Sequence, residues 1–320
     1  MHFNFWDTLE KPFFALAPMA DVTDAAFRQM FVECGKPDVF WTEFVSIGGL
    51  CSRGKEALLP DLWFGEGEHP IVAQIFGVEP EKYEKTGVLI RELGFDGVDI
   101  NMGCPSRDIE KQKAGAALIK TPELARLAIR ALKKGAGDLP VSVKTRVGYV
   151  SKDEMSAWLQ VLLEEDLAAL TVHLRTRMEM SAVPAQWELA HEIVELRNRV
   201  APKTLLIGNG DITSMEDARA RLKESGMDGA MIGRGVFGNP WFFSERVPDV
   251  RERLERMVKH AELFEKKFKG IKNFSVMKKH FGSYATGFDG AKELRIRLMG
   301  TEKAEDVKKI TEEFLGAVEV

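Results

Sequence analysis

Residues 205–235 read LLIGNGDITSMEDARARLKESGMDGAMIGRG, and the fold follows from how this stretch is built. It opens on an apolar, β-rich run, Leu205–Asn209, that ends in the turn Gly208-Asn209-Gly210-Asp211. Thr213-Ser214-Met215-Glu216 then reads as a capping box, in which a hydroxyl and a nearby carboxylate satisfy the first free amides of a helix. The Ala/Arg/Leu-rich stretch behind it runs to Lys223 as that helix. A second short run, Ala230–Gly233, closes the unit and ends in Gly233-Arg234-Gly235. Strands that stay apolar until their last residues are parallel strands buried on both faces, so the stretch is a β–α–β unit.

The same rhythm extends toward the N-terminus. Six further strand candidates are Phe14–Pro18, Val39–Glu43, Ile71–Phe76, Gly97–Asn101, Val141–Thr145 and Ala169–His173. Helix signals lie between them: Thr23-Asp24 precedes Ala25–Cys34, and Thr121-Pro122-Glu123 starts an N-capped run through Leu132. Eight such units over about 240 residues have the size of a TIM barrel. A doubly wound open sheet shares the alternation, but the count of eight and the lack of an early Gly-x-Gly-x-x-Gly favour the barrel. After Pro248 the β signals stop, and apolar residues fall three and four apart, as in Leu254, Met257, Val258, Ala261 and Phe264. The expected architecture is α/β: a (β/α)₈ TIM barrel over residues 1–248, followed by a smaller all-helical domain over residues 249–320.

Composition narrows the class. With 45% hydrophobic and 29% charged residues, the chain has the make-up of a soluble, well-packed enzyme. No apolar run approaches the roughly 20 residues of a membrane span. Met1-His2-Phe3-Asn4-Phe5-Trp6-Asp7 lacks a basic segment followed by an apolar one, so a cytoplasmic location is expected. Three cysteines, Cys34, Cys51 and Cys104, with no Cys-x-x-Cys, argue against a disulfide framework or a structural zinc site, and no metal is expected. The net charge of −4 conceals an asymmetry. Residues 251–300 carry 13 Lys/Arg against 6 Asp/Glu, whereas residues 1–250 carry 29 against 37. That pattern fits a basic module meeting a polyanion beside an acidic body, and equally a solvated helical surface.

In a barrel the functional groups gather where strands end and βα loops begin. The strand ends here are polar: Gln74-Ile75-Phe76-Gly77, Asn101-Met102-Gly103-Cys104-Pro105, Lys144-Thr145-Arg146, His173-Leu174-Arg175, Gly208-Asn209-Gly210-Asp211 and Gly233-Arg234-Gly235. The last two give close backbone approach, free amides and a planar cation after strands seven and eight, where barrels usually hold phosphate. One phosphate site fits FMN better than FAD. Lys144 would stabilise the negative charge of a reduced flavin, and Gln74 and His173 could hydrogen-bond the cofactor. Gly103 and Pro105 fix a turn that presents Cys104, whose thiol can act as a nucleophile or as a general acid. Cys34, on an apolar helix face, and Cys51 read as small buried hydrophobes.

In this order, Pro18-Met19-Ala20-Asp21-Val22-Thr23-Asp24, Asn101-Met102-Gly103-Cys104-Pro105, Val143-Lys144-Thr145-Arg146, Gly208-Asn209-Gly210-Asp211 and Ile232-Gly233-Arg234-Gly235 resemble the tRNA-dihydrouridine synthase family. The similarity runs from about Phe13 to about Leu298, and Met277-Lys278-Lys279-His280 with Gly290-Ala291-Lys292-Glu293-Leu294-Arg295 looks like the family's C-terminal signature. The resemblance implies an FMN that passes a hydride to C6 of a tRNA uridine, a proton from Cys104 to C5, and re-reduction by NADPH. It implies FMN contacts at Pro18, Met19, Gln74, Lys144, His173, Asn209, Gly210, Asp211, Gly233 and Arg234. On the substrate side it implies Asn101, Lys111, Arg146 and Arg175, with Lys278, Lys279 and Arg295 of the basic tail holding the tRNA backbone. Three departures from the pattern bear on the substrate pocket: Leu174 in place of a glycine, the altered stretch Met178–Pro184, and Lys113 where glycine is common.

Two other readings use the same residues. A barrel FMN oxidoreductase acting on a free pyrimidine would have no need of the basic tail. A tRNA-binding protein that keeps its flavin only for structure would require neither Cys104 nor Lys144. No long apolar edge points to an obligate dimer, so a monomer is expected.

Overall fold

The computed structural model describes residues 4–317. Met1, His2 and Phe3, part of the N-terminal stretch discussed above, lie outside the described residues, as do the last three residues of the expected helical domain.

Eight parallel strands form one sheet: β1 (Phe13–Leu16), β2 (Phe40–Ser46), β3 (Ile71–Phe76), β4 (Gly97–Met102), β5 (Val141–Arg146), β6 (Ala169–His173), β7 (Leu205–Asn209) and β8 (Gly229–Ile232). β1 pairs with β8, each later strand pairs with its predecessor, and a parallel bridge between Ala15 and Val39 joins β1 to the approach to β2. The sheet therefore closes into the expected barrel. Helices α1 (Ala25–Cys34), α2 (Pro80–Glu92), α3 (Pro122–Ala136), α4 (Met155–Leu163), α5 (Ala190–Val200) and α6 (Met215–Ser225) connect strands on the outside.

Strand alternation explains the two cores. Leu16, Phe40, Ala73, Ile100, Val143, Val172, Leu206 and Ile232 face outward and pack with the helices. Phe13, Ala15, Trp41, Val72, Ala169, Ile207 and Met231 face inward, and Phe5 and Trp6 plug the bottom of the barrel against them. Side chains of opposite parity on one strand thus never compete for the same space. The same parity puts Gln74, Asn101, Lys144, His173 and Asn209 on the inner side at the top.

Local signals hold in most places. Asp24 caps α1, its Oδ1 accepting the amides of Ala26 at 2.8 Å and Phe27 at 2.9 Å. Ser214 caps α6, but the reciprocal carboxylate is Asp217 rather than Glu216: it accepts the Thr213 amide at 3.2 Å. Thr121 makes no side-chain cap on α3, which instead starts on the preset φ of Pro122 and runs four residues past Leu132. β2 is longer than its apolar run because a register shift between Trp41 and Phe44 inserts a bulge, which also re-aims Glu43.

After β8 the chain turns to helices α7 (Val250–Phe268), α8 (Lys278–Tyr284), α9 (Ala291–Leu298) and α10 (Ala304–Ala317). Their core, built on Leu254, Met257, Phe264, Phe268, Phe281 and Leu298, takes in Ala25 and Ala26 of α1. A salt bridge adds to this seam: Lys272, after α7, lies 2.7 Å from both Glu43 on the β2 bulge and Asp61. Among the described residues no helix is long and apolar enough to cross a membrane.

Candidate active site

A cavity of about 670 Å³ opens at the C-terminal ends of the strands, bounded by Ala17, Pro18 and Met19 after β1, Pro105 after β4, Lys144 and Arg146 of β5, His173, Asn209 and the Gly233-Arg234-Gly235 turn. Parallel register assembles it: Asn101 lies opposite Lys144, Arg146 opposite His173, His173 opposite Asn209, and Asn209 opposite Met231. Residues about 30 apart in sequence are forced to one height because each βα unit returns the chain to the neighbouring strand in step.

The floor of the site is cationic and poorly solvated. Lys144 Nζ donates to Asn209 Oδ1 at 3.0 Å, and Asn209 Nδ2 in turn donates to the Met231 carbonyl at 2.7 Å. Burial pulls the Lys144 ammonium down to about 8. Arg146, drawn down to about 10 by the same cause, spans the gap between loops by donating to the carbonyls of Gly103, Thr176 and Met180. His173 is held well below its usual value, by burial first and by the surrounding cations Arg146 and Lys144 next, so its ring is neutral. Arg175 donates to His173 Nε2 at 3.1 Å, leaving Nδ1 as the ring's donor.

A polar ladder lies beneath. Ser142 donates to Asp99 Oδ1 at 2.7 Å, Gln74 Nε2 donates to Asp99 Oδ2 at 2.7 Å, and Asn101 Nδ2 donates to Gln74 Oε1 at 2.9 Å. Asn101 Oδ1 then accepts the amides of Gly103 at 3.1 Å and Cys104 at 2.9 Å. Gln74 and Asn101 are thereby both buried, with their amide groups occupied inside the protein. Asn101 organises the cysteine loop, and Gln74 organises Asn101. Burial lifts Asp99 to about 6. The Cys104 thiol is raised above its ordinary value, by burial before all else, and so stays protonated at neutral pH.

At the phosphate-like end, Gly210 adopts φ +133, and a Cβ there would sit 2.6 Å from Ala185 Cβ. Asp211 faces two arginines rather than standing free. It accepts from Arg175 and, at 2.8 Å, from Arg234, whose side chain is two-thirds exposed at the rim. Leu174 buries its side chain in the outer core, so it does not narrow the cavity. The altered stretch after it does enter the site, through Met180 and Ser181.

The remaining expected residues are spread more widely. Lys111 is exposed and pairs with Asp108 at 3.0 Å on the short helical turn Arg107–Lys111. Lys279 reaches Asp21, in the loop after β1, at 3.0 Å, which puts α8 beside the mouth. Lys278 is half-buried next to it, and Arg295 donates to the Ala285 carbonyl at 2.7 Å. Sequence reasoning did not find Asp99, Ser142, Glu110, Tyr149 or Arg177. The one available signal was an aspartate inside the otherwise apolar run Val98-Asp99-Ile100.

The family profile described as dihydrouridine synthase matches residues 15–319. A protein of Staphylococcus aureus named probable tRNA-dihydrouridine synthase is 44% identical over 315 residues, covering 97% of this chain and 95% of its own length. One of Bacillus subtilis named probable tRNA-dihydrouridine synthase 2 is 44% identical, with 97% and 96% covered. Among solved structures, the old yellow enzyme homologue of Zymomonas mobilis superposes with a TM-score of 0.51 at 16% identity, over 75% of this chain and 90% of that one. Morphinone reductase, solved in complex with tetrahydroNAD, gives 0.50 at 17% identity, over 73% and 86%. These two likenesses bear on the barrel fold.

Proposed function

The chain belongs to the dihydrouridine synthase family of oxidoreductases, and on that premise we propose that it reduces the 5,6 double bond of a uridine in tRNA, with FMN in the barrel mouth and NADPH as reductant. The residues present suit that cofactor. Lys144 is a half-buried cation with no carboxylate within salt-bridge distance among the described residues, so the negative charge of an electron-rich ring edge placed over it would offset the desolvation that depresses it. Gly210, Gly233 and Arg234 supply close backbone and a planar fork for one phosphate. Arg234 is exposed and its tie to Asp211 is a surface one, so exchanging that partner for a phosphate costs little. Pro18 and Met19 line the wall next to Gly233, where an apolar ring face needs cover.

When bound, the flavin supplies the hydride for C6. The chain's own residues do the rest. Cys104, kept as a thiol by burial, holds the proton destined for C5, and its loop is fixed by the two amides capped on Asn101. Neutral His173 offers Nδ1–H as a donor without adding another positive charge beside Lys144 and Arg146. A uridine must leave its stack to reach this depth, as targets of other base-modifying enzymes do. The helical tail, with Lys278 and Lys279 beside the mouth and Arg295 on α9, is assigned to the tRNA backbone. Residues 249–320 are proposed as the tRNA-holding module on this ground, in a protein acting as a monomer in the cytoplasm.

The observation that carries the reading is a half-buried lysine in the cavity wall that interacts electrostatically with a thiol kept protonated by burial, on the loop whose Pro105 lines the same cavity. The test is mass spectrometry of unmodified tRNA incubated with FMN-loaded protein and NADPH. New dihydrouridine at a mapped position is the expected result. Its absence from a yellow preparation that oxidises NADPH would refute the tRNA assignment while leaving the flavin in place.

A further inference from the structure

Cys104 sits on a loop, not on a strand, so its position against the barrel depends on what grips the loop. Part of the grip is local. Asn101 caps the amides, Ala116 N donates to the Cys104 carbonyl at 3.0 Å, and Gly115, at φ +63, keeps clear of that carbonyl, which a Cβ would meet at 2.8 Å. The rest comes from two other loops. Arg177, beyond β6, donates through Nε to Glu110 at 2.8 Å and through its NH2 group to the other carboxylate oxygen, while the same NH2 reaches the Pro105 carbonyl at 3.4 Å. The Arg177 amide donates to Gly148 at 2.9 Å and the Met178 amide to Tyr149 at 3.0 Å, which ties the β6 loop to the β5 loop. Tyr149 closes the triangle by its ring, whose centroid lies 5.7 Å from the Arg177 guanidinium and 4.3 Å from the Lys120 ammonium.

We propose that Glu110 and Arg177 are positioning residues, a two-pronged latch braced by Tyr149 that fixes the Cys104 loop against the β5 and β6 loops in the place where the thiol addresses the cavity. The proposal rests on the reading of Cys104 as the proton donor. Three features distinguish it from an ordinary surface pair. Both side chains are largely covered, at 15% and 13% exposure, where a charge-assisted pair is worth more than in open water. The contact is two-pronged, a geometry that only a guanidinium supplies. It also joins three loops at the mouth, where local backbone alone sets no relative position. Burial opposes ionisation of Glu110, but Arg177 and Tyr149 outweigh it and hold its carboxyl below the usual range, so the latch persists at neutral pH.

The test uses the FMN-loaded full chain with the variants Arg177→Gln and Glu110→Gln, and iodoacetamide as the probe, with the Cys104 peptide followed by mass spectrometry. Freeing the loop is expected to speed Cys104 alkylation by about tenfold and to lower kcat for dihydrouridine formation by about tenfold or more, since misplacing a reacting group by about 1 Å can cost a hundredfold. FMN content, NADPH oxidation and the KM for tRNA should stay near wild type. The exchange Glu110→Arg with Arg177→Glu should recover part of the loss, and Arg177→Lys should recover less. Unchanged alkylation and kcat in both single variants would overturn the latch. So would a raised KM at constant kcat, which would make Arg177 an RNA contact. Cys104→Ala is assayed alongside: wild-type turnover there would sink the proton-donor reading alone, because the alkylation rate reports on the loop independently.

Discussion

Replacing Lys144 by methionine should make the cofactor-free protein more stable and the flavin more weakly bound. The ammonium is held at about 8 against an ordinary 10.5, with burial as the leading cause. At about 1.4 kcal/mol per pH unit, keeping that charge in the folded state at pH 7 costs about 3 kcal/mol. Methionine retains the apolar stem and removes the charge. It also leaves Asn209 Oδ1 without its donor, which costs about 1 kcal/mol. The net expectation is a gain of about 2 kcal/mol, or a rise of about 4 °C in melting temperature for a chain of this size. The pH dependence carries the sign. A lysine depressed on folding is protonated more readily in the unfolded chain, so wild-type stability rises as pH climbs from about 8 to 10.5. The advantage of the variant should be full at pH 7, vanish near pH 10 and reverse slightly above it, where only the lost bond to Asn209 remains. Urea denaturation of both cofactor-free proteins at pH 7 and pH 10 measures it, and flavin fluorescence quenching gives the FMN affinity. A variant less stable at pH 7 that still binds FMN tightly would refute the reasoning, since Lys144 would then be a structural group with its charge already satisfied.

The other expectations are simpler. Cys104→Ala should keep its flavin and NADPH oxidation yet lose dihydrouridine formation by about a hundredfold or more, as removal of a general acid does, when product is measured by mass spectrometry. Arg234→Ala should weaken FMN by about tenfold, the scale of one charge-assisted phosphate hydrogen bond, and an unaltered dissociation constant in equilibrium dialysis would refute the phosphate assignment. Reversing Lys278 and Lys279 to glutamate should weaken tRNA binding and lower the salt slope by about two in filter binding, one for each lysine that no longer neutralises a phosphate. If affinity and slope are unchanged, α8 does not face the RNA.

The barrel was legible because its signals are local. Each strand announces itself as a short apolar run and each helix by its period or its cap, and eight repeats of that pattern leave few architectures. The polar strand ends were legible for the same reason: Lys144, His173 and Asn209 break apolar runs at the one place where a barrel exposes its strands, and strand parity sends them inward. Local reading faltered where a long-range interaction supplies the reason. The bulge that lengthens β2 is a property of its pairing with β3, and nothing in Thr42-Glu43 declares it.

The sequence by itself determined the barrel, the order of its loops and the residue types at its mouth, because these depend on period, propensity and composition within a few residues. Only the tertiary structure decided what those residues touch. It gave Gln74 and Asn101, expected as ligand contacts, partners that support the cysteine loop, set Asp211 between Arg175 and Arg234, and joined Glu110 to Arg177 across 67 positions of chain. Such partners are fixed by strand register and loop packing, which sum the whole chain's burial, and no window of sequence contains both ends of the bond.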